Sequence, residues 1–268
     1  MDRPSWVPGG VDIEQPSVAR VYDYYLGGSH NFEADRQFDE RVIAAVPDMR
    51  WVISENRSFL RRAVRFMVSE GIDQFVDLGS GIPTVGNVHE VVASLNPRGR
   101  VVYIDHDPVA VAHSRAILNG NPNTAVIAGD LRSPKAVLAN PELQRLVDLS
   151  RPVGVLLNAV LHFVPDDDEA GAIVAAVTDN VAAGSYVAIS HASADQMRDG
   201  AHRTESLYNQ SVAAMAMRSR AQVAALFGGS PLVDPGVVQI PLWRPESLDD
   251  LSEQAERYPG YAGVARIG

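Results

Sequence analysis

Hydrophobic positions near the start of the chain recur with helical spacing. Val18, Val21, Tyr22 and Tyr25 stand at i, i+3, i+4 and i+7, which predicts a short helix stopped by Gly27-Gly28. A second helix is expected over Ala34–Val46, before Pro47. A third is expected over Ser54–Ser69, with Phe59, Leu60, Ala63, Val64 and Met67 on one side and Gly71 closing it. Pro and Gly crowd the first sixteen positions, a loose lead-in, and no strand pattern occurs before residue 72.

From Asp73 onward the pattern alternates between short apolar runs and helical periodicity. The runs are Phe75–Leu78, Val101–Ile104, Ala125–Ala128, Val153–Val160 and Tyr186–Ser190. Between them lie helical stretches from Val85 to Leu95, Pro108 to Leu118, and Asp167 to about Ala182. Two short helices start at Ser133-Pro134 and Asn140-Pro141, each a capping residue followed by proline. Continuous apolar strands alternating with helices predict an α/β fold with a parallel sheet buried on both faces. The tail adds a helix over Glu205–Met217, another capped by Ser219 and Gln222, and two strands over Val237–Pro241 and Gly260–Ile267. A helix near Glu246–Arg257 joins those two strands, making seven in all. The expected division is a helical arm or lid over residues 1–71 and a sheet domain over 72–268.

Composition narrows the chemistry. At 46% hydrophobic and 21% charged, the 268 residues can bury a core. There are no cysteines, which removes disulfides, thiolate metal sites and cysteine nucleophiles together. The start carries no apolar leader and no run is long enough for a membrane span, so a cytoplasmic protein without a membrane partner is expected. A net charge of −10 disfavours nucleic acid and favours a small molecule. Lys135 is the only lysine.

In an open parallel sheet the ligand sits at the carboxyl ends of the strands. After the first strand comes Asp77-Leu78-Gly79-Ser80-Gly81, a turn that allows close backbone approach and leads into a helix N-terminus. After the second comes Asp105 with His106, the acid 24 residues beyond Gly81, near the spacing of a carboxylate that accepts ribose hydroxyls. After the third comes Gly129-Asp130-Leu131, suited to an adenine amine. After the fourth comes Asn158, and His162 follows it. These residues imply a ribose and an adenine. Thr84 occupies the place of a third loop glycine, and Asp77 would repel a pyrophosphate, so a cationic nucleoside fits better than NAD.

The segment Phe75–Asp130, with FVDLGSG, VVYIDHDP and AGD, resembles the cofactor half of class I S-adenosylmethionine-dependent methyltransferases. LLNAVLHFVPD, residues 156–166, is similar to their fourth-strand segment. PSVARVYDYYLGGSHNFEADR, residues 16–36, looks like the hallmark of a bacterial S-adenosyl methyltransferase family, and the tail segments PGVVQIPLWRP and YAGVARIG are similar too. The resemblance implies a Rossmann-like, mostly parallel seven-stranded sheet of order 3-2-1-4-5-7-6 with strand seven antiparallel. It also implies S-adenosyl-L-methionine as cofactor. Gly79, Ser80 and Gly81 would then pass its methionine part, Asp105 its ribose, and Asp130 with Leu131 its adenine.

Tyr22 and the Gly27, Gly28, Asn31 turn can be read as a lid over the cofactor or as plain packing of the arm. His162 and His191 follow the fourth and fifth strands and are the candidate general bases for an acceptor hydroxyl. His89 and His113 are expected on helix surfaces. Asp166–Glu169 is expected to complement a helix N-terminus rather than to bind metal. No N/D-P-P-Y/F segment follows the fourth strand, which again disfavours a nucleic-acid base as acceptor. The expected activity is in-line methyl transfer to a small-molecule acceptor. A non-catalytic cofactor-binding regulator, an NAD-dependent oxidoreductase and an aminopropyl transferase remain as alternatives on the same fold.

Overall fold

The computed structural model describes residues 11–83, 86–196, 200–247 and 253–268. The chain opens with α1 (Val18–Tyr25), α2 (Glu33–Ala45) and α3 (Met49–Ser69). It then alternates through β1 (Gln74–Leu78), α4 (Val88–Leu95), β2 (Arg100–Asp105), α5 (Pro108–Ile117) and β3 (Thr124–Ala128). Next come α6 (Pro134–Leu138), α7 (Pro141–Leu146), β4 (Gly154–Asn158), a 3-10 turn (Leu161–Phe163), α8 (Asp167–Thr178) and β5 (Tyr186–Ala192). The tail holds α9 (Gly200–Ser211), α10 (Arg220–Ala225), β6 (Val238–Gln239), a 3-10 turn (Ile240–Leu242), α11 (Glu253–Glu256) and β7 (Gly260–Arg266).

The strands form one sheet of order β3-β2-β1-β4-β5-β7-β6. β1 to β5 pair in parallel, and β7 runs antiparallel to both β5 and β6. Successive residues of a strand point to opposite faces, and the two cores follow that alternation. Val76, Val102, Ile104, Val155 and Leu157 join α6, α7 and α8 on one side. Phe75, Val101, Tyr103 and Leu156 join α3 and α4 on the other. Strand order reverses between β1 and β4, and a crevice opens there.

Helix α3 shares its core with the sheet, while α1 and α2 pack with Tyr208, Met215 and α5. The apolar face of α3, Phe59 to Met67, covers the sheet directly, and Arg62 donates to the backbone oxygens of Trp243 and Ile240 at 2.9 and 2.8 Å. Ser17 fixes α1 to the body of the molecule. Its hydroxyl donates to Asp107 Oδ2, its amide donates to Asp35 Oδ1 at 2.9 Å, and its oxygen accepts from Arg20 N. Asp107 in turn caps α5 through the amides of Val109 and Ala110.

Several boundaries differ from the sequence expectation. Helix α3 starts at Met49, five residues before Ser54. The fourth strand stops at Asn158 because Ala159 turns into the left-handed region at φ 52°. Helix α9 covers Gly200–Ser211, not Glu205–Met217, and the sixth strand is reduced to Val238–Gln239 by the turn at Ile240-Pro241. Of the helix expected near Glu246–Arg257, Glu253–Glu256 is observed and 248–252 lie outside the described residues, as do Thr84 and Val85. Among the described residues no helix is long and apolar enough to cross a membrane.

Candidate functional site

β1 ends at Leu78 and the chain turns at once through Gly79, Ser80 and Gly81. The amides of Gly79 and Ser80 both donate to Ile104 O, at 2.8 and 3.1 Å, folding the loop against the end of β2. Gly79 has φ +75°, and a Cβ there would stand 2.3 Å from Val160 Cγ2, so a side chain has neither the conformation nor the room. Asp105, 7% exposed, accepts from Gly81 N on Oδ2 at 2.7 Å and from Asp107 N on Oδ1 at 2.8 Å. Each carboxylate oxygen keeps a further lone pair that a hydroxyl can use. Burial raises the Asp105 pKa, opposed by those two N–H bonds. Asp77 lies buried at the centre of the crevice. Desolvation pushes its carboxyl up to about 7, against the pull of Arg57 and with a further push from Asp105.

A cavity of about 230 Å³ fills the crevice. It brings together Asp77, Gly79, Ser80, Gly81, Asp105, His106, Leu131, Asn158 and Tyr22 of the expected set. Gly129 and Asp130 do not line it. The amide of Gly129 donates to Asp105 O at 2.9 Å, and the half-exposed Asp130 accepts from Arg132 N at 2.9 Å. Gly27, Gly28 and Asn31 do not line it either, which corrects the reading of that turn as part of the lid. Asp23 Oδ2 accepts from His30 N and Asn31 Nδ2 at 2.8 and 3.0 Å, and a Cβ on Gly28 would meet Asp23 Oδ1 at 2.0 Å. The polar groups of the turn are spent on closing it around a buried carboxylate.

A second chamber, of about 90 Å³, adjoins the cavity and shares Val18, Tyr22, Ala159 and Phe163 with it. Both candidate histidines line it. His191 Nδ1 donates to Ala192 O at 2.7 Å, which leaves Nε2 to accept from Arg218 at 2.8 Å. Burial lowers its pKa to about 4. With both nitrogens engaged His191 cannot serve as a base, which corrects that expectation. His162 is 8% exposed, its Nδ1 is buried without a hydrogen-bond partner, and burial holds its pKa well below the ordinary value.

A polar chain links the arm to the sheet under both cavities. Asn56 Nδ2 donates to Tyr22 Oη at 2.8 Å, and Ser190 Oγ donates to Asn56 Oδ1 at 2.6 Å. Ser190 Oγ also accepts from Ala159 N at 2.9 Å and lies 2.7 Å from the Asn158 amide. A hydroxyl has one proton, so Ser190 can donate to only one of the two amide oxygens, Asn56 Oδ1 and Asn158 Oδ1, at a time. Sequence reasoning missed Ser17, Asn56, Arg57, Arg132, Phe163 and Ser190. Arg57 sits 5.6 Å from the Tyr22 ring centroid, a cation already in place on that aromatic group.

His89, His113, Asp166 and Asp167 have structural partners. His89 Nδ1 lies 2.8 Å from Tyr103 Oη, so His89 is half-buried, and His113 meets His30 of the arm with ring centroids 3.8 Å apart and planes tilted by 52°. Asp166 caps α8 through Glu169 N at 2.8 Å, and Asp167 pairs with Arg218 at 2.7 Å. Among the described residues no group of three or more His, Asp or Glu side chains is placed to hold a metal ion.

A family profile described as S-adenosyl methyltransferase matches residues 4–268. The chain belongs to this S-adenosyl methyltransferase family. No curated protein matches it. Among solved structures, a candidate methyltransferase from Thermobifida fusca is 39% identical with TM-score 0.92, over 98% of this chain and 99% of that one. A DUF574 family protein from Streptomyces avermitilis is 34% identical with TM-score 0.90, over 96% and 99%. Human N-acetylserotonin methyltransferase, solved with SAM, is 15% identical with TM-score 0.51, over 87% of this chain and 57% of that one, a likeness of fold.

The S-adenosyl methyltransferase is therefore an enzyme that uses S-adenosyl-L-methionine, on a class I fold. The cavity fits that cofactor. The acids Asp77 and Asp105 in its wall suit a ligand whose ammonium and sulfonium are positive, and Asp105 has lone pairs free that two ribose hydroxyls could use.

Proposed function

We propose that the protein methylates a small-molecule acceptor held in the second chamber, with Asp77, Gly79, Ser80, Gly81, Asp105, His106, Leu131, Asn158 and Tyr22 holding the cofactor beside it. The observation that carries this reading is the junction of the two cavities at Val18, Tyr22, Ala159 and Phe163. When bound, the cofactor supplies a methyl group on a good leaving group. What the chain must do is align an acceptor with that group and keep water out, and alignment is worth up to ~7–11 kcal/mol.

The residues divide these tasks. Asp105 offers lone pairs to a ribose from a position fixed by Gly81 N and Asp107 N. Asp77 offers a negative charge to an ammonium. Helix α1 closes the near side of both cavities with Val18 and Tyr22, which is the role we assign to the arm within residues 1–71. Ala159 bears its left-handed conformation, a cost of ~1–2 kcal/mol, at the wall common to both. His162 is the base available to an acceptor that must lose a proton. The negative charge of the chain supports a small acceptor over nucleic acid, and the lack of cysteines supports a cytoplasmic setting.

Calorimetric titration with S-adenosylhomocysteine and with NADH tests the reading. Micromolar binding of the former, weakened at least tenfold by Asp105→Ala, is expected. No binding of it, or binding of NADH instead, overturns the proposal.

A further inference from the structure

The walls of the second chamber carry information about the acceptor. Among the described residues that line it, none is Asp, Glu, Lys or Arg. Burial keeps both imidazoles in its wall neutral. A carboxylate, phosphate or ammonium placed here would lose its hydration and find no counter-ion. Four aromatic side chains, Tyr22, Phe163, Tyr208 and Tyr258, and the thioethers of Met215 and Met217 make up much of the surface. Such walls suit a flat π surface. The chamber is much the smaller of the two cavities.

One group in this apolar wall stands apart. The side chain of His162 is more than nine-tenths buried, yet its Nδ1 has no hydrogen-bond partner. The neighbouring His191, with ring centroids 5.5 Å apart, has both nitrogens engaged. An orphaned imidazole nitrogen on a residue of the chamber wall can be satisfied by a hydroxyl that donates to it.

We propose that this chamber takes a neutral, single-ring aromatic compound bearing a hydroxyl, and that its oxygen is methylated while His162 removes the proton. The inference rests on the reading that methyl transfer occurs in the adjoining cavity, and it adds the class of acceptor. In the step, the hydroxyl oxygen forms a bond to the methyl carbon. The carbon–sulfur bond of the donor breaks with its electron pair left on sulfur, and the hydroxyl proton passes to His162 Nδ1. A free amine or a carboxylate would need no base, so the placement of His162 selects the hydroxyl.

The test uses the full chain saturated with S-adenosylhomocysteine and titrated with phenol, 4-hydroxybenzoate and tyramine. Phenol is expected to bind at least tenfold more tightly than its carboxylate and ammonium relatives. Ile53→Trp, which fills the chamber, should abolish phenol binding and leave the affinity for S-adenosylhomocysteine within threefold. Met217→Ala, which widens it, should improve 2-naphthol binding at least tenfold and guards against misfolding of the first variant. With S-adenosylmethionine, single-turnover formation of anisole should fall at least a hundredfold in His162→Gln while the dissociation constant of phenol changes less than threefold. Binding of S-adenosylhomocysteine with no binding of phenol, equal binding of the charged analogues, or wild-type anisole formation in His162→Gln overturns this inference alone. Failure to bind S-adenosylhomocysteine overturns it together with the reading beneath it.

Discussion

The guanidinium of Arg218 donates to Nε2 of His191 across 2.8 Å, in a site where both side chains are 1% exposed. The same guanidinium also donates to the backbone oxygens of Leu161 and Val164 at 3.0 and 2.8 Å and to Asp167 Oδ1 at 2.7 Å. It thereby shapes the 3-10 turn that carries His162. Arg218→Met would leave His191 Nε2 and Val164 O buried and unpaired, at a cost of ~1–3 kcal/mol each in urea unfolding. Arg218→Lys should recover less than half of that, because an ammonium cannot reproduce the planar fork.

Asp77 makes cofactor affinity depend on pH. With its carboxyl near pH 7 in the free protein, it is largely protonated below that point and cannot attract an ammonium. Affinity for S-adenosylhomocysteine should weaken as pH falls below about 7, by up to ~10-fold per pH unit. Asp77→Asn should bind more weakly at pH 8 and flatten the profile. Calorimetry between pH 5.5 and 8 measures both.

Gly79→Ala tests the turn. The left-handed conformation costs ~1–2 kcal/mol for any side chain, and the new Cβ would also collide with Val160. The variant should lose stability by more than the conformational cost alone. Adding Val160→Ala should return part of the steric cost, because the Val160 Cβ itself would still stand 2.9 Å from the new Cβ, and leave the backbone part, a non-additive pair that a denaturation double-mutant cycle detects.

Asp39, buried in α2, has its carboxyl raised to about 7 chiefly by burial, with Tyr25 and Arg50 pulling it down and Asp35 and Glu40 pushing it up. A carboxyl whose folded pKa exceeds its unfolded pKa binds protons more tightly in the folded state. Its contribution is favourable at low pH and is lost as pH rises from about 4 to about 7. Asp39→Asn should therefore raise stability at pH 8 by on the order of 1–3 kcal/mol and have little effect at pH 4. Urea midpoints at the two values decide it.

The strands themselves and the placing of Asp77, Gly79, Gly81 and Asp105 could be read in advance because each depends on local signals: an apolar run, a glycine pair, an acid at a strand end. The order of the strands comes only from the resemblance to the methyltransferases, since no local signal states which strands pair. The Gly27–Asn31 turn misled because its polar groups face Asp23, a partner no spacing rule identifies. Ser190 and Asn56 were invisible for the same reason. They meet across 134 positions and only the folded sheet unites them. The two histidines were indistinguishable as letters. Arg218, 27 residues from His191, is what separates their roles.

The hydroxyl of Ser17 serves two helices at once, accepting from Arg20 at the start of α1 and donating to Asp107, the residue that begins α5. Asp107 also gives its amide to Asp105. The first helix cannot swing away without disturbing the support of the acid beside the cavity. What happens in that cavity and how firmly the first helix is seated are thus two readings of one free energy. A nucleoside that steadies Asp105 will also fasten the arm, and loosening the arm by Ser17→Ala should weaken the nucleoside.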